Sequence, residues 1–395
     1  MLNQNMKKLG ANRSVIRELF EYGKKRKAEI GEDNVFDFSL GNPSVASPDI
    51  VQNSLVDLIE NTDPVKLHGY TSAQGDFGVR ASIADYLNET YNADVNADCI
   101  YLTSGAAASL TVSLTAILNP GDEVILLAPY FPEYKVFVER TGANIVPVLC
   151  QMPSFQPNID AIERAINEKT RAIIVNSPNN PTGAVITLEN IKALASVLKN
   201  ASEKYGEPIY LISDEPYREL VYDCKDVPYL TNYYDNTIVC YSFSKSISLP
   251  GERIGYVLVS PRAQNFMDLY YAICGAGRAL GFVCATSLFQ YLIPMVLGKT
   301  SDISVYDTNR KLLYNSLSDA GYEVVYPDGA FYLFVKALEN DAMAFCERAK
   351  QFELLLVPAN DFGCEGYVRV AYCVTTEQIK RSLPAFIALA KSYTT

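Results

Sequence analysis

The 395-residue chain contains a single histidine, His68, and none of its nine cysteines stands in a C-x-x-C pair. One histidine leaves little room for Ser-His-Asp chemistry. The cysteine pattern argues against a zinc site and favours reduced thiols in a cytoplasmic setting. We therefore expect no metal site, and we expect the protein to be cytoplasmic.

Positive charge is also scarce, with 34 Lys and Arg against 45 Asp and Glu and a formal net charge of -11. So acidic a chain does not suit binding to nucleic acid. The polar, basic N-terminal segment lacks the apolar run of a signal peptide. Residues 279–298 carry no charge, but Gly281, Gln290 and Pro294 interrupt them. We interpret this stretch as a helix buried in the core or in a subunit interface, not as a membrane span.

One pattern recurs along the first two thirds of the chain: an apolar run ends in polar, small or aromatic residues, and a helix or loop follows. The runs lie at residues 99–102, 124–127, 172–175, 209–212 and 237–240. This alternation predicts a mostly parallel sheet with helices on both faces. Ligands of such sheets gather at the carboxyl ends of the strands, where these polar residues fall.

The pattern changes near residue 276, where an α+β layer begins. We therefore predict an α/β fold with two domains. The large domain, residues 44–275, holds the mostly parallel sheet flanked by helices. The smaller α+β domain combines the N-terminal segment, residues 1–43, with residues 276–395.

Lys245 directly follows an apolar, β-branched run, within the sequence Tyr-Ser-Phe-Ser-Lys at residues 241–245. A free lysine with a pKa near ~10.4 is mostly protonated, but it becomes useful when it forms an imine with a carbonyl ligand. Ser242, Ser244 and Arg253 offer hydroxyl donors and a fixed positive charge, which suit a phosphate. An aldehyde and a phosphate together describe pyridoxal 5'-phosphate (PLP). The alternative is a surface lysine after a strand.

Candidate ligands lie at three other places in or next to the predicted strands. Ser104-Gly105-Ala106 at a helix start offers N–H groups and the helix dipole to a phosphate, although an ordinary N-cap is common there. Asp214 could hold a protonated pyridine nitrogen, or it could cap a helix. Arg369 in an apolar strand requires an anion, either a bidentate carboxylate or an internal ion pair.

Five further residues have both a functional and an ordinary interpretation. Tyr130 could stack on a flat ring or fill the core. Asn180 and Tyr217 could donate to a ring phenolate, although Asn-Pro sequences also form plain turns. Gly41 could allow close approach of a ligand or simply form a turn. Tyr70, in a polar loop, suits a hydrogen-bond donor at a site.

A competing motif runs from Gly275 to Gly281 and resembles a dinucleotide-binding loop. Its last glycine is one residue late, and no convincing βαβ unit surrounds it. A nucleotide-dependent dehydrogenase is therefore a weak alternative.

Taken together, the residues resemble class I aminotransferases of PLP fold type I, the aspartate aminotransferase family, in order from Gly41 to Arg369. The matching segments are Ser242-Phe243-Ser244-Lys245 with Arg253, Asn180-Pro181-Thr182-Gly183, Asp214 with Tyr217, and Tyr70 with Gly75. The resemblance implies that Lys245 is the Schiff-base lysine and proton shuttle. It places Asp214 on the pyridine nitrogen.

The same resemblance assigns the remaining contacts. Asn180 and Tyr217 would bind the phenolate oxygen, and Tyr130 would stack on the ring. The phosphate would be held by Ser104, Gly105, Ala106, Ser242, Ser244 and Arg253, joined by Tyr70 from the second subunit of a homodimer. Arg369 would clamp the substrate α-carboxylate, with Gly41 and Asn180 also on the substrate.

Two positions depart from the family pattern. Ala106 stands where a threonine is often found, and Tyr130 replaces the tryptophan of some members. Arg278 is the nearest candidate for binding a side-chain carboxylate.

The implied reaction moves an amino group from an L-amino acid, aspartate favoured, to a 2-oxo acid such as 2-oxoglutarate by a ping-pong mechanism. Aromatic amino acids and alanine remain open as substrates. A carbon-sulfur β-lyase on the same scaffold is the alternative from a different reaction class.

Overall fold

The computed structural model describes residues 2–11 and 15–393. The chain divides into two compact units, a smaller one formed by residues up to 44, 304–327 and 331 onward, and a larger one formed by 45–303 and 328–330. Residues 276–303, which the sequence pattern assigned to the smaller domain, thus lie in the larger unit. The reason is that one helix, Phe266–Ala279, runs through position 276 and packs on the sheet of that unit.

Helices account for most of the regular structure. Within the described residues they are α1 (Gln4–Ala11), α2 (Val15–Ile30), α3 (Asp49–Asn61), α4 (Pro64–His68), α5 (Phe77–Tyr91), α6 (Ala106–Ile117), α7 (Glu133–Glu139), α8 (Ile159–Ala165), α9 (Leu188–Tyr205), α10 (Phe266–Ala279), α11 (Ser287–Val296), α12 (Ser304–Asp319), α13 (Ala342–Lys350) and α14 (Thr376–Lys391). The sequence also predicts an amphipathic helix over residues 7–30, and residues 12–14 of that segment lie outside the described residues.

The strands are short, as is usual in α/β proteins. They are β1 (Phe36–Asp37), β2 (Ile100–Thr103), β3 (Glu123–Ala128), β4 (Asn144–Leu149), β5 (Thr170–Asn176), β6 (Tyr210–Asp214), β7 (Thr237–Ser242), β8 (Gly255–Val259), β9 (Val324–Val325), β10 (Tyr332–Lys336), β11 (Leu354–Leu355), β12 (Val357–Pro358) and β13 (Tyr367–Ala371).

The larger unit is built on a seven-stranded sheet with the order β2-β8-β7-β6-β5-β3-β4. Strands β3 to β7 pair in parallel, and β8 runs antiparallel to both of its neighbours. The predicted α/β fold with a mostly parallel, helix-flanked sheet is confirmed. Strand β4 was not predicted, because it contains Pro147 and most of its residues are exposed or only partly buried. Both properties fit its position at the sheet edge.

Successive side chains of a strand point to opposite faces, so the sheet separates two cores. On one face Ile238, Cys240 and Val257 pack with residues of α6 and α10. On the other face Val239 and Tyr241 pack with residues of α5 and α11. Because both faces are covered, the strands are apolar along their whole length and polar side chains are left to the strand ends.

The smaller unit contains a four-stranded sheet with the order β12-β13-β10-β9 and a separate parallel pair, β1 with β11. Strands β10 and β13 pair antiparallel over their full length, and Phe334 lies opposite Arg369. Helices α12 and α14 pack on each other. Residues up to 44 and the C-terminal part of the chain therefore belong to one compact unit.

Two stretches singled out in the sequence take ordinary positions. Most of the Gly275–Gly281 motif lies inside α10, so the dinucleotide-loop interpretation is wrong: a helix interior has no free N–H groups to offer a phosphate. The uncharged stretch 279–298 contains the ten-residue α11. Among the described residues, no helix combines the length and apolarity needed to cross a membrane.

We predict that Gly255→Ala destabilises the larger unit by about 1–3 kcal/mol, because overpacking a tight backbone contact is costly. A Cβ at Gly255 would lie 2.2 Å from the carbonyl oxygen of Tyr241 and 3.0 Å from the Cα of Gly105. Urea unfolding measures the change. Gly251→Ala is the matched control, because a Cβ there has no neighbour within 4 Å. Equal unfolding midpoints for the two variants would contradict the prediction.

Candidate active site

Lys245 lies on the turn that follows β7, at the carboxyl end of the parallel strands, and its side chain is half-buried. Hydrogen bonds hold this turn in place. The N–H of Ser244 donates to Ser242 Oγ at 3.4 Å, and the N–H of Ser301 donates to the carbonyl of Ser246 at 2.8 Å. The turn that carries the lysine is therefore hydrogen-bonded and the side chain is partly buried, which argues against the alternative of an ordinary surface lysine.

A helix N-terminus, a hydroxyl and a guanidinium group meet close to this turn. Helix α6 begins at Ala106, and Gly105 before it has a φ of 85°, a conformation that favours glycine. A Cβ at Gly105 would lie 2.7 Å from Nη2 of Arg253. Arg253 Nη1 lies 3.5 Å from Ser244 Oγ and donates to the carbonyl of Pro250 at 2.8 Å. Free N–H groups next to a guanidinium suit a phosphate.

Asp214 ends β6, the strand next to β7, and is buried. The phenol of Tyr134 donates to its Oδ2, and the side-chain amide of Asn176 donates to its backbone carbonyl at 2.9 Å. Burial raises the pKa of the Asp214 carboxyl group to about 7. The bond from Tyr134 lowers this pKa, and the charge of Glu215 raises it.

The remaining oxygen of that carboxyl group, Asp214 Oδ1, is buried and has no hydrogen-bond partner among the described residues. A buried acceptor without a donor is unfavourable by about 1–3 kcal/mol. The protonated ring nitrogen of PLP would supply both a donor and a positive charge, and a positive charge stabilises the ionised carboxylate. The residues present therefore fit PLP.

Three further predicted ligands lie around Asp214. Tyr130 is buried and lines a small cavity together with Tyr134 and Asn176. The N–H of Asn180 donates to Asn176 Oδ1 at 2.7 Å. Tyr217 is buried on the turn after β6. Burial raises the pKa of Tyr134 well above its usual value, and Asp214 and Tyr217 raise this pKa further.

Arg369 and Gly41 belong to the smaller unit, where they lie in one cluster. The Arg369 side chain is buried, and its Nη2 donates to the carbonyl of Ser39 at 2.6 Å. The guanidinium carbon lies 4.7 Å from the ring centre of Tyr332 and 5.2 Å from that of Phe362. A Cβ at Gly41 would lie 2.0 Å from the hydroxyl of Tyr332, so only glycine fits there.

Two predicted residues stand apart from the cluster around Asp214 and Arg253. Tyr70, on the loop after α4, has a side chain that is 99% exposed. Arg278, in the last turn of α10, is also exposed. The single chain gives neither residue a place in the candidate site.

The sequence analysis missed Tyr134 and Asn176, the two residues that position Asp214. Asn176 ends β5 in register with Asp214, and the polar end of that apolar run was a usable signal. Tyr134 offered no such signal. It lies on α7, remote in sequence from β6, and its spacing resembles that of an ordinary core aromatic.

The chain has relatives along nearly its whole length. Residues 33–386 match the family described as "Aminotransferase class I and II". The chain is 29% identical over 377 residues to the aspartate aminotransferase of Thermotoga maritima, covering 93% of this chain and 95% of the relative. It is 31% identical over 369 residues to the (5-formylfuran-3-yl)methyl phosphate transaminase of Methanocaldococcus jannaschii, covering 91% and 92%. The crystal structure of an aminotransferase from Eubacterium rectale aligns with a TM-score of 0.98 at 55% identity over 100% of both chains.

We predict that Asp214→Asn stabilises the cofactor-free protein above about pH 7. The pKa of Asp214 is about 7 in the folded chain, against 3.8 for the ordinary group. Between these values the folded state keeps a proton that the unfolded state releases, so wild-type stability falls as pH rises, by up to roughly 4 kcal/mol. Asparagine carries no such proton.

Urea unfolding at about pH 4, 6 and 8 checks this prediction. The stability gap between Asp214→Asn and wild type should widen up to about pH 7 and then stay constant. Asp85→Asn, at an exposed acid on α5, is the control and should show no gap. Parallel pH profiles for wild type and Asp214→Asn would contradict the prediction.

Proposed function

The chain belongs to the class I and II aminotransferases, which are PLP-dependent, and we propose that it moves the amino group of an L-amino acid, aspartate first, to 2-oxoglutarate. The observation that carries the proposal is the buried carboxyl group of Asp214. One of its oxygens has no hydrogen-bond partner among the described residues. Asp214 ends β6, the strand that pairs with β7, and β7 leads to Lys245. A carboxylate there suits the ring nitrogen of PLP. When bound, PLP supplies an electron sink for the α-carbon of the substrate.

Lys245 is the proposed catalytic residue. Its Nζ would hold the cofactor covalently. In its neutral form the same Nζ would take up the proton from the substrate α-carbon and deliver it on the cofactor side. Asp214 would keep the ring nitrogen protonated, and Asn180 and Tyr217 would donate to the phenolate oxygen.

The proposed phosphate site draws on three segments. Its members are Ser104, Gly105 and Ala106 at the start of α6, Ser242 and Ser244 before Lys245, and Arg253. Ala106 has no hydroxyl, but it offers its backbone N–H group. Any residue other than proline can offer this group at a helix N-terminus. Tyr130 is buried and would stack on the cofactor ring.

Arg369 is the proposed ligand of the substrate α-carboxylate, supported by its buried position and by its stacking against Tyr332. The bond from its Nη2 to Ser39 fixes the plane of the guanidinium, which favours bidentate recognition. Gly41 allows the hydroxyl of Tyr332 to approach the backbone closely, and Gly41 and Asn180 are further proposed substrate contacts. Arg278 remains the candidate for a side-chain carboxylate.

Aspartate is favoured because a relative named aspartate aminotransferase matches 93% of the chain. A relative of similar identity acts, by its name, on a furanylmethyl phosphate aldehyde. Substrate choice therefore needs a direct test. A first scan tests which amino acids convert the bound cofactor to its amino form. A second scan tests which 2-oxo acids reverse that conversion. Together the two scans identify both substrates of the ping-pong cycle. Aromatic amino acids and alanine belong in the scan.

We further propose a homodimer in which Tyr70 of one subunit donates to the cofactor phosphate of the other. The support is the near-complete exposure of Tyr70, which leaves its hydroxyl accessible to a second subunit. We keep a cytoplasmic location as part of the proposal, since all nine cysteines are free thiols.

Lys245→Ala is expected to lose both the near-visible absorbance that PLP gains on binding and the turnover, the latter by more than about 10³-fold. Spectrophotometry with added PLP and a coupled aminotransferase assay measure the two. Lys192→Ala, at an exposed lysine on α9, is the control and should behave as wild type. An active Lys245→Ala enzyme would refute the assignment. Release of pyruvate and ammonia from a cysteine derivative without any 2-oxo acid would instead favour the carbon-sulfur β-lyase.

Mixing two defective variants tests the shared site. Tyr70→Phe removes a phosphate donor and should weaken PLP binding by about tenfold, the value of one hydrogen bond to a charged group. In a mixed dimer, one subunit carries Tyr70→Phe and the other carries Lys245→Ala. One of the two sites then combines the intact Lys245 of the first subunit with the intact Tyr70 of the second. Activity of the refolded mixture should therefore exceed the sum of the parent activities. A purely additive result would show that Tyr70 acts within its own subunit.

A further inference from the structure

Behind the Lys245 turn, a chain of three polar side chains connects the two segments to which the proposed cofactor ligands belong. Glu219 lies two residues after Tyr217, on the turn that follows β6. The phenol of Tyr241, on β7, lies 2.9 Å from Glu219 Oε1 and 3.1 Å from Ser246 Oγ. Ser246 is the residue next to Lys245 and is buried. None of these three residues has a role in the proposed reaction so far.

Tyr241 has little freedom to turn away from these partners. Its ring stacks on Tyr256 with 5.0 Å between ring centres, and Phe243 packs edge-on against it at the same distance. The carbonyl of Ser246 also accepts a hydrogen bond from the N–H of Ser301 at 2.8 Å. The ring of Tyr241 and the backbone of Ser246 are therefore held by packing and by another hydrogen bond, so the fold sets the position of the phenol.

The second carboxyl oxygen, Glu219 Oε2, is buried and has no hydrogen-bond partner among the described residues. Glu219, Tyr241 and Ser246 line one small cavity of about 20 Å³, which is large enough for one water molecule. A buried carboxyl group of this kind can exist in either protonation state near neutral pH.

The charge surroundings of Glu219 are mixed. Burial raises the pKa of Glu219 to about 7, while the bond from Tyr241 and the charge of Arg218 lower it. Arg218 is itself paired with Glu215. The titratable and charged groups that line the cavity or act on Glu219 are Tyr86 and Tyr91 from α5, Glu215 and Arg218 beside it, Tyr241 from β7, Tyr256 from β8, and Lys299 after α11.

The geometry makes the hydrogen-bond direction depend on Glu219. A phenol has one proton, so Tyr241 donates to one neighbour and accepts from the other. An ionised Glu219 can only accept. Tyr241 then donates to it, and Ser246 donates to Tyr241. A protonated Glu219 can donate to Tyr241, which then donates to Ser246, so that every bond in the chain reverses.

We propose that Glu219 is a positioning residue for the Lys245 turn, acting through Tyr241 on Ser246. The inference rests on the proposed function, because it needs Lys245 to carry the cofactor. Glu219 does not touch substrate or cofactor. Through Tyr241 it sets the orientation of the Ser246 hydroxyl, and an ionised Glu219 keeps the proton of that hydroxyl turned toward Tyr241.

The test is the pH midpoint of the near-visible absorbance of the PLP-loaded enzyme. Glu219→Gln keeps the shape but its amide can donate to Tyr241, which reverses the chain and leaves the Ser246 proton free to donate toward the Lys245 nitrogen. A donor there favours the neutral form of that nitrogen, so the midpoint should move to lower pH by about 0.5–1 unit. In a Tyr241→Phe background, which cuts the connection, the same substitution should move it by less than about 0.2 unit. Ser301→Ala, which removes a side-chain bond to Ser248 on the same loop, is the control and should leave the midpoint unchanged.

A merely structural role would lower the melting temperature of Glu219→Gln and leave the midpoint at the wild-type value, and that result overturns the inference. An equal shift with and without Tyr241 also overturns it. If Glu219→Gln does not fold, Tyr241→Phe and Ser246→Ala decide: non-additive midpoint shifts support the connection and additive shifts overturn it. If wild type itself shows no near-visible band with PLP, the proposed function fails. If the near-visible band of wild type is present and changes with pH, the proposed function stands and the experiment tests only the role of Glu219.

Discussion

The carboxyl group of Asp214 is buried at the end of β6, and one of its oxygens meets no donor among the described residues. Burial without a cation raises the pKa of this group to about 7. Tyr134 donates to the other carboxyl oxygen, and Asn176 donates to the backbone carbonyl of the same residue. A group that is both a donor and positively charged would therefore interact favourably with the oxygen that has no donor.

The parallel sheet brings the other ligands to the same edge. Asn176, Asp214 and Cys240 lie side by side in the register of β5, β6 and β7, so the turns after these strands meet. Close packing at this edge depends on two glycines. Gly105 leaves space beside Arg253, and Gly255 allows β8 to pass the backbone of Gly105. A methyl group would collide with the guanidinium of Arg253 at the first position and with the carbonyl oxygen of Tyr241 at the second.

Much of this could be predicted from local sequence. The end of each apolar run marked a candidate ligand, because a strand buried on both faces leaves polar residues only at its ends. Strand β4 escaped notice because an edge strand with Pro147 lacks that signature. Tyr134 escaped because a contact between α7 and β6 has no local signal in either segment. The boundary near 276 was misplaced because α10 continues through it with no break in its apolar pattern.

The sequence by itself determined the fold class, the order of the strands along the chain and the identity of most candidate ligands. These depend on hydrophobic periodicity and on residue types at strand ends, both of which are local. Only the tertiary structure decided which polar atoms remain without a partner and which side chains hold Asp214 and Glu219. Those properties depend on contacts between segments that are distant in sequence, where burial removes water and makes each missing donor matter.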